Sequence, residues 1–119
     1  MQASEGLGAV SRAGVDVDKA LEAINGSSGR SWVTMQRFPD NICTGDPYGF
    51  ALGMHCKDME NAMALIRAPH PDGAATTAPM LELARCLMNL AQQEMGGEVD
   101  HTETSKLAAR ANRIDFERL

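Results

Sequence analysis

Apolar positions along this chain recur at spacings of three and four residues, and no segment of any length alternates with the period of two that a half-buried strand requires. The clearest run lies mid-sequence: Leu52, Cys56, Met59, Met63 and Ile66 draw one stripe down a helix expected over residues 51–68. Lys57 and Asp58 lie beside that stripe, not on it. Upstream, Ala3, Leu7 and Val10 predict a short helix ending near Gly14, and Val17, Ala20, Leu21 and Ile24 predict a second, capped by Asp16 and closed by Asn25-Gly26. The serines of Gly26-Ser-Ser-Gly-Arg-Ser31 are placed to cap a third helix over residues 31–36, with Trp32 and Met35 facing inward. Residues 38–49 are rich in turn formers and predict an irregular connection.

Downstream, Pro69-His-Pro71 ends the central helix, because prolines remove donors and crowd the preceding turn. Thr76 or Thr77 is expected to cap a long helix with Pro79 in its first turn. Its inward face is expected to carry Met80, Ala84, Leu87 and Ala91, widened by Leu83 and Leu90, and Gly96-Gly97 stops it. Asp100-His-Thr-Glu103 reads as a capping box before a last helix over residues 102–114, with Leu107, Ala108, Ala111 and Ile114 inward. The expectation is an all-α fold of five to six helices over residues 1–114, followed by a frayed, charged tail, 115–119. The first helical pattern is already running at residue 3 with no capping residue ahead of it, so the chain is expected to be cut from a longer one.

Composition supports helices. The 119 residues are 44% hydrophobic but only 4% aromatic, with 8 Met, so Leu, Met and Ala must fill one compact core. A net charge of −5 argues against a nucleic-acid surface, which needs a concentrated basic patch. No run approaches the length of a membrane span and no signal-peptide pattern opens the chain, so a soluble, cytoplasmic protein is expected. The 3 Cys are scattered, without a Cys-x-x-Cys pair, and are expected as buried reduced thiols.

Isolated motifs promise little chemistry. The Gly26–Ser31 loop lacks the spacing and the lysine of a phosphate-binding loop. His55 and Cys56 are adjacent, hence about 100° apart on a helix, while His70 and His101 stand alone, so no metal site is expected. A thiol- or metal-dependent enzyme using Cys56 and His55 is the weakest rival.

Taken together, Ala20-Leu-Glu-Ala-Ile-Asn-Gly-Ser-Ser-Gly-Arg-Ser-Trp32, Tyr48-Gly-Phe50, Lys57-Asp-Met59 and Asp100-His-Thr102 resemble the C-terminal domain of the β-hydroxyacid dehydrogenases. This is the group of 3-hydroxyisobutyrate dehydrogenase, allied to 6-phosphogluconate dehydrogenase, and the resemblance spans residues 4 to about 112. It implies a 6-phosphogluconate dehydrogenase C-terminal-domain-like fold that follows a Rossmann domain and pairs in a homodimer. It implies that Lys57, with Asp58 and Phe50, meets NAD or NADP near the nicotinamide, and that Ser31 and Trp32 border the substrate cleft. The family's G-x-G-x-x-G fingerprint, Ser-Gly-Gly substrate loop and K-x-x-N-N catalytic lysine have no counterpart in these 119 residues. A domain fragment of an NAD(P)-dependent oxidoreductase is therefore expected, without a catalytic residue or tight cofactor binding of its own. The rival from another class is a free-standing helical dimerisation or interaction module in which Lys57 is merely solvated.

Overall fold

The structure, a computed structural model, describes residues 1–117. It is all-helical: α1 (Gln2–Arg12), α2 (Val17–Asn25), a π-helix (Val33–Ile42), α3 (Leu52–Arg67), α4 (Pro79–Met95), a 3-10 turn (His101–Thr104) and α5 (Ser105–Asn112). Among the described residues the only β-like feature is an isolated antiparallel bridge between Ala51 and Asp100. The chain divides into two compact units, residues 1–49 with 102–119, and residues 50–101.

In the first unit, α1 packs on α5 and α2, and α2 packs on the π-helix. Leu7, Leu21, Phe38, Cys43, Ala109 and Phe116 form the core, with Val17, Ala20 and Ile24 against it. The predicted cap of α2 forms, Asp16 Oδ1 accepting from the amides of Asp18 and Lys19 at 3.0 and 3.2 Å. Gly8 marks where α1 approaches α5, since a Cβ there would come within 2.8 Å of Asn112 Nδ2. Phe116 is buried and meets Phe38 edge-on at 5.2 Å. The tail is therefore anchored at Phe116, and its last two residues, 118–119, lie outside the described residues.

The third helix departs most from expectation. It continues through Pro39 to Ile42, and its buried residues are Thr34 and Phe38. Trp32, expected inward, is 63% exposed, and Met35 is exposed too. Wider π-turns use i→i+5 bonds, as from the Cys43 amide to the Phe38 carbonyl at 2.8 Å, which shifts the buried face away from the 3.6-residue period. In that register Pro39 has no N–H for the Thr34 carbonyl five residues back, and Asn25 Nδ2 donates to that carbonyl at 3.0 Å instead.

The second unit pairs α3 with α4. Leu52, Cys56 and Met63 are buried as the stripe requires. On α4 the expected face is corrected: Met80, Leu83 and Leu90 are exposed, and Met88 and Ala91 are the buried residues. Polar contacts set this rotation. Glu60 Oε1 of α3 accepts from Arg85 Nη1 at 2.7 Å and Asn89 Nδ2 at 2.9 Å, and the Cys56 thiol donates to the Met88 carbonyl. Cys86 is exposed, unlike buried Cys43 and Cys56. The expected threonine cap is also absent: α4 starts at Pro79 after Ala78 with no side-chain cap, and Thr76 Oγ1 lies 2.7 Å from His70 Nε2.

Ahead of α5 the Glu103 carboxylate does not reach back as a capping box requires. Glu103 pairs with Lys106 at 2.8 Å, and the segment tightens into the 3-10 turn with Ser105 Oγ donating to the Thr102 carbonyl. Ala109, not Ala111, joins Ala108 inside.

Asn25→Ala leaves the Thr34 carbonyl without its donor and is expected to cost about 1–3 kcal/mol in urea unfolding. Pro39→Ala restores an N–H facing that carbonyl, so the loss from Asn25→Ala is expected to be smaller in the Pro39→Ala background, measured as a double-mutant cycle.

Candidate functional site

In the second unit, the segment leading into α3 is strapped to the chain that follows α4. The Leu52 amide donates to the Val99 carbonyl at 2.8 Å, the Gly53 amide to the Gly97 carbonyl at 2.9 Å, and the His101 amide to the Phe50 carbonyl at 2.9 Å. The Phe50 amide donates to Asp100 Oδ2 at 3.0 Å, so this carboxylate ties the start of α3 to the segment after α4. Small residues make this close approach possible. A Cβ on Gly53 would stand 3.2 Å from the Gly97 carbonyl oxygen, and one on Gly97 would stand 3.0 Å from Gln92 Nε2. Gly96, at φ 91°, turns the chain out of α4 in a conformation that favours glycine.

The strap gathers three rings. His55 and His101 stack with centroids 5.6 Å apart and planes 4° from parallel, and Phe50 meets both edge-on, at 6.3 Å from His55 and 5.8 Å from His101. Burial and, after it, the His101 imidazole hold the His55 pKa below its ordinary 6.5, with the Asp58 carboxylate acting in the opposite sense. His101 Nδ1 lies 3.2 Å from the Phe50 carbonyl and 3.6 Å from Asp100 Oδ1.

Lys57 and Asp58 follow on the exposed side of α3. Among the described residues neither side chain enters a hydrogen bond or an ion pair, so the Lys57 ammonium is open to an external acceptor. Phe50 is half-buried, held at both its amide and its carbonyl.

Ser31 and Trp32 belong to the first unit. Ser31 caps the π-helix in a reciprocal arrangement, its amide donating to Thr34 Oγ1 at 2.9 Å and its Oγ accepting from the Thr34 amide at 3.2 Å. Trp32 lies open, with the Arg37 guanidinium 5.8 Å from its ring centroid. Among the described residues no group of three or more His, Cys, Asp or Glu converges as a metal site. No helix there is long and apolar enough to cross a membrane.

Sequence reading singled out Lys57 and Phe50 and read Asp100 as a cap, but did not connect His55 with His101. Asp100, His55 and His101 are joined by the 50–53 to 97–101 pairing, which no local pattern signals. The only clue was that Asp100 belongs to a motif recurring in the β-hydroxyacid dehydrogenases.

The all-α fold, the Lys-Asp pair early in α3 and the tethering Asp100 agree with the helical dehydrogenase domain that the motifs resemble. The chain belongs to the family described as NAD-binding of NADP-dependent 3-hydroxyisobutyrate dehydrogenase, whose model matches residues 1–108. No match was found among curated proteins.

His55 takes up a proton less readily folded than unfolded, so its contribution to stability should fall as pH drops below 6.5, until the folded imidazole titrates as well. His55→Gln removes that term. The difference in urea midpoint between about pH 7.5 and about pH 5.5 is expected to be smaller in the variant than in the parent chain.

Proposed function

We propose that this chain is the helical half of an NAD(P)-dependent hydroxyacid dehydrogenase, in which Lys57 contacts the dinucleotide near its nicotinamide end. The observation carrying this reading is the exposed Lys57 ammonium, unpaired among the described residues, in a chain of this family. Its three donors suit the carboxamide, ribose or carboxylate oxygens that meet at such a centre. Asp58 orients the ammonium once a ligand is in place, and Phe50, pinned at both backbone groups, supplies an apolar wall. Ser31 and Trp32 border the substrate. When bound, the nicotinamide exchanges a hydride with the alcohol carbon. The hydroxyl proton falls to the catalytic lysine of the partner Rossmann domain, which also supplies the glycine-rich phosphate site that these 119 residues lack. The chain alone is accordingly inactive, and its setting is cytoplasmic, in keeping with three free thiols.

Homodimerisation has its own support. Met80, Leu83 and Leu90 line up on α4 at spacings of three and seven and are all exposed, which makes a stripe suited to a second helix. The same stripe favours the second reading, a helical interaction module without catalysis.

The two readings separate when the chain is mixed with the dinucleotide-binding half of a 3-hydroxyisobutyrate dehydrogenase and assayed for NAD(P)H formation from small hydroxyacids. Activity is expected only with both halves, and Lys57→Ala should lower kcat/KM about 10- to 100-fold, the worth of a charge-assisted hydrogen bond. Turnover by the chain alone, or equal turnover by Lys57→Ala, would sink the assignment. The paired change Leu83→Glu with Leu90→Glu is expected to turn a dimer into a monomer by light scattering.

A further inference from the structure

We propose that Arg37, braced by Tyr48 and flanked by Trp32, is an oxyanion-binding residue that receives a carboxylate or phosphoryl group of the substrate. The guanidinium carbon of Arg37 sits 3.1 Å from the Tyr48 ring centroid and 5.8 Å from that of Trp32. Stacking occupies a face of the guanidinium and leaves its five in-plane N–H donors pointing outward from the ring edge. Among the described residues none of those donors has an acceptor. Asp40, one turn on, and Asp46 form no ion pair with Arg37, and no side-chain or backbone oxygen accepts from it. An arginine this well fixed, half-buried yet without a hydrogen-bond acceptor, is arranged for a planar, bidentate anion from outside the chain.

The surroundings fit such a ligand. Trp32 and Tyr48 are the sole Trp and Tyr of the chain, and both stand beside this cation with much of their surface open. They offer the apolar body of a small acid a wall while the guanidinium takes its charged end. The π-helix brings this about, because residues five apart, Trp32 and Arg37, are brought near each other by i→i+5 turns. The brace also lowers the entropic cost of binding, since the side chain is ordered beforehand. Net charge does not create the site: the chain carries −5 overall, so a general positive field is absent and recognition must come from Arg37 itself.

Assigning the anion to the substrate rests on the placement of Trp32 at the substrate cleft proposed above, whereas the binding itself is tested without it. Because Trp32 is the sole tryptophan, its fluorescence reports directly on this surface. The 119-residue chain is titrated with succinate, with inorganic phosphate and with uncharged succinamide, at ionic strength held constant with chloride. A saturable change with succinate, phosphate or both, and none with succinamide, is expected. Response to succinate alone assigns a carboxylate, and response to phosphate alone assigns a phosphoryl group. Arg37→Gln should weaken the response at least about tenfold, with Arg37→Lys in between, because lysine keeps the charge but loses the fork. Circular dichroism confirms that each variant is folded. Equal saturation in Arg37→Gln, a response matched by succinamide, or only the linear drift that chloride also gives would overturn the proposal and leave Arg37 as a brace for the loop. The readout uses neither cofactor nor turnover, so failure of the Lys57 assignment and failure of this one are seen separately.

Discussion

The placement of α3 depends on one backbone pairing. Residues 50–53 and 97–101 lie close enough for three main-chain hydrogen bonds, and the Asp100 carboxylate adds a fourth by accepting from the Phe50 amide. A helix N-terminus ordinarily leaves amides without partners. Here those of Leu52 and Gly53 are answered by carbonyls of a distant segment, so α3 starts at a defined point without a side-chain cap. Everything counted from that start inherits its precision: the ring cluster of Phe50, His55 and His101, then Lys57 and Asp58. Two glycines make this possible. The pairing tolerates no Cβ at Gly53 or Gly97 without displacement of a carbonyl or of the Gln92 amide. The constraint is steric before it is energetic.

Much of the fold was legible from period and punctuation. The α3 stripe, the Asp16 cap, the break at Pro69 and the stop at Gly96 all follow from local rules, since each is a contest between a residue and its own backbone. What was not legible depended on partners remote in sequence. The face that α4 buries is set by Arg85 and Asn89 reaching Glu60, and a count of apolar residues alone favoured Met80 and Leu83, which lie in the open. The π-helix is a sharper case. Pro39 and the turn formers after it argue for a break, and the chain runs through them because Asn25 supplies a bond that the proline cannot. A rule that weighs each residue on its own element has no place for a donor from another helix, nine residues before the carbonyl it answers.

Of the candidate site, the family motifs drew attention to Lys57, Asp58, Phe50, Ser31 and Trp32, and the class of protein was recoverable from them. Their physical settings were not. Trp32 looked like a core anchor and is exposed. Asp100 looked like a cap alone and also tethers the Phe50 amide. His55 was read beside Cys56 and His101 as standing alone, and the two form a stacked pair. Each reversal has one cause. A polar or aromatic side chain has several ways to be satisfied, and which one is used depends on the tertiary neighbours that arrive.

The two cations of interest are held in opposite ways, and that difference bears on what each can do. Lys57 sits on a rigid helix, but its ammonium swings on a four-carbon stem and keeps its hydration until a ligand arrives, so contact with it can form and break at little cost in geometry. That suits a cofactor that must be admitted and released in every cycle. Arg37 has surrendered its freedom in advance, its plane lying over Tyr48 and its flank toward Trp32. A fixed fork discriminates by shape: it rewards two coplanar oxygens at the right separation and leaves a neutral amide, whose nitrogen would face one of its donors, a single bond without charge assistance. A swinging ammonium has less to discriminate with, since it accepts any oxygen within reach. The two proposed roles therefore divide on physical grounds: selection among acids would fall to the fixed Arg37, and charge at the nicotinamide end to the swinging Lys57.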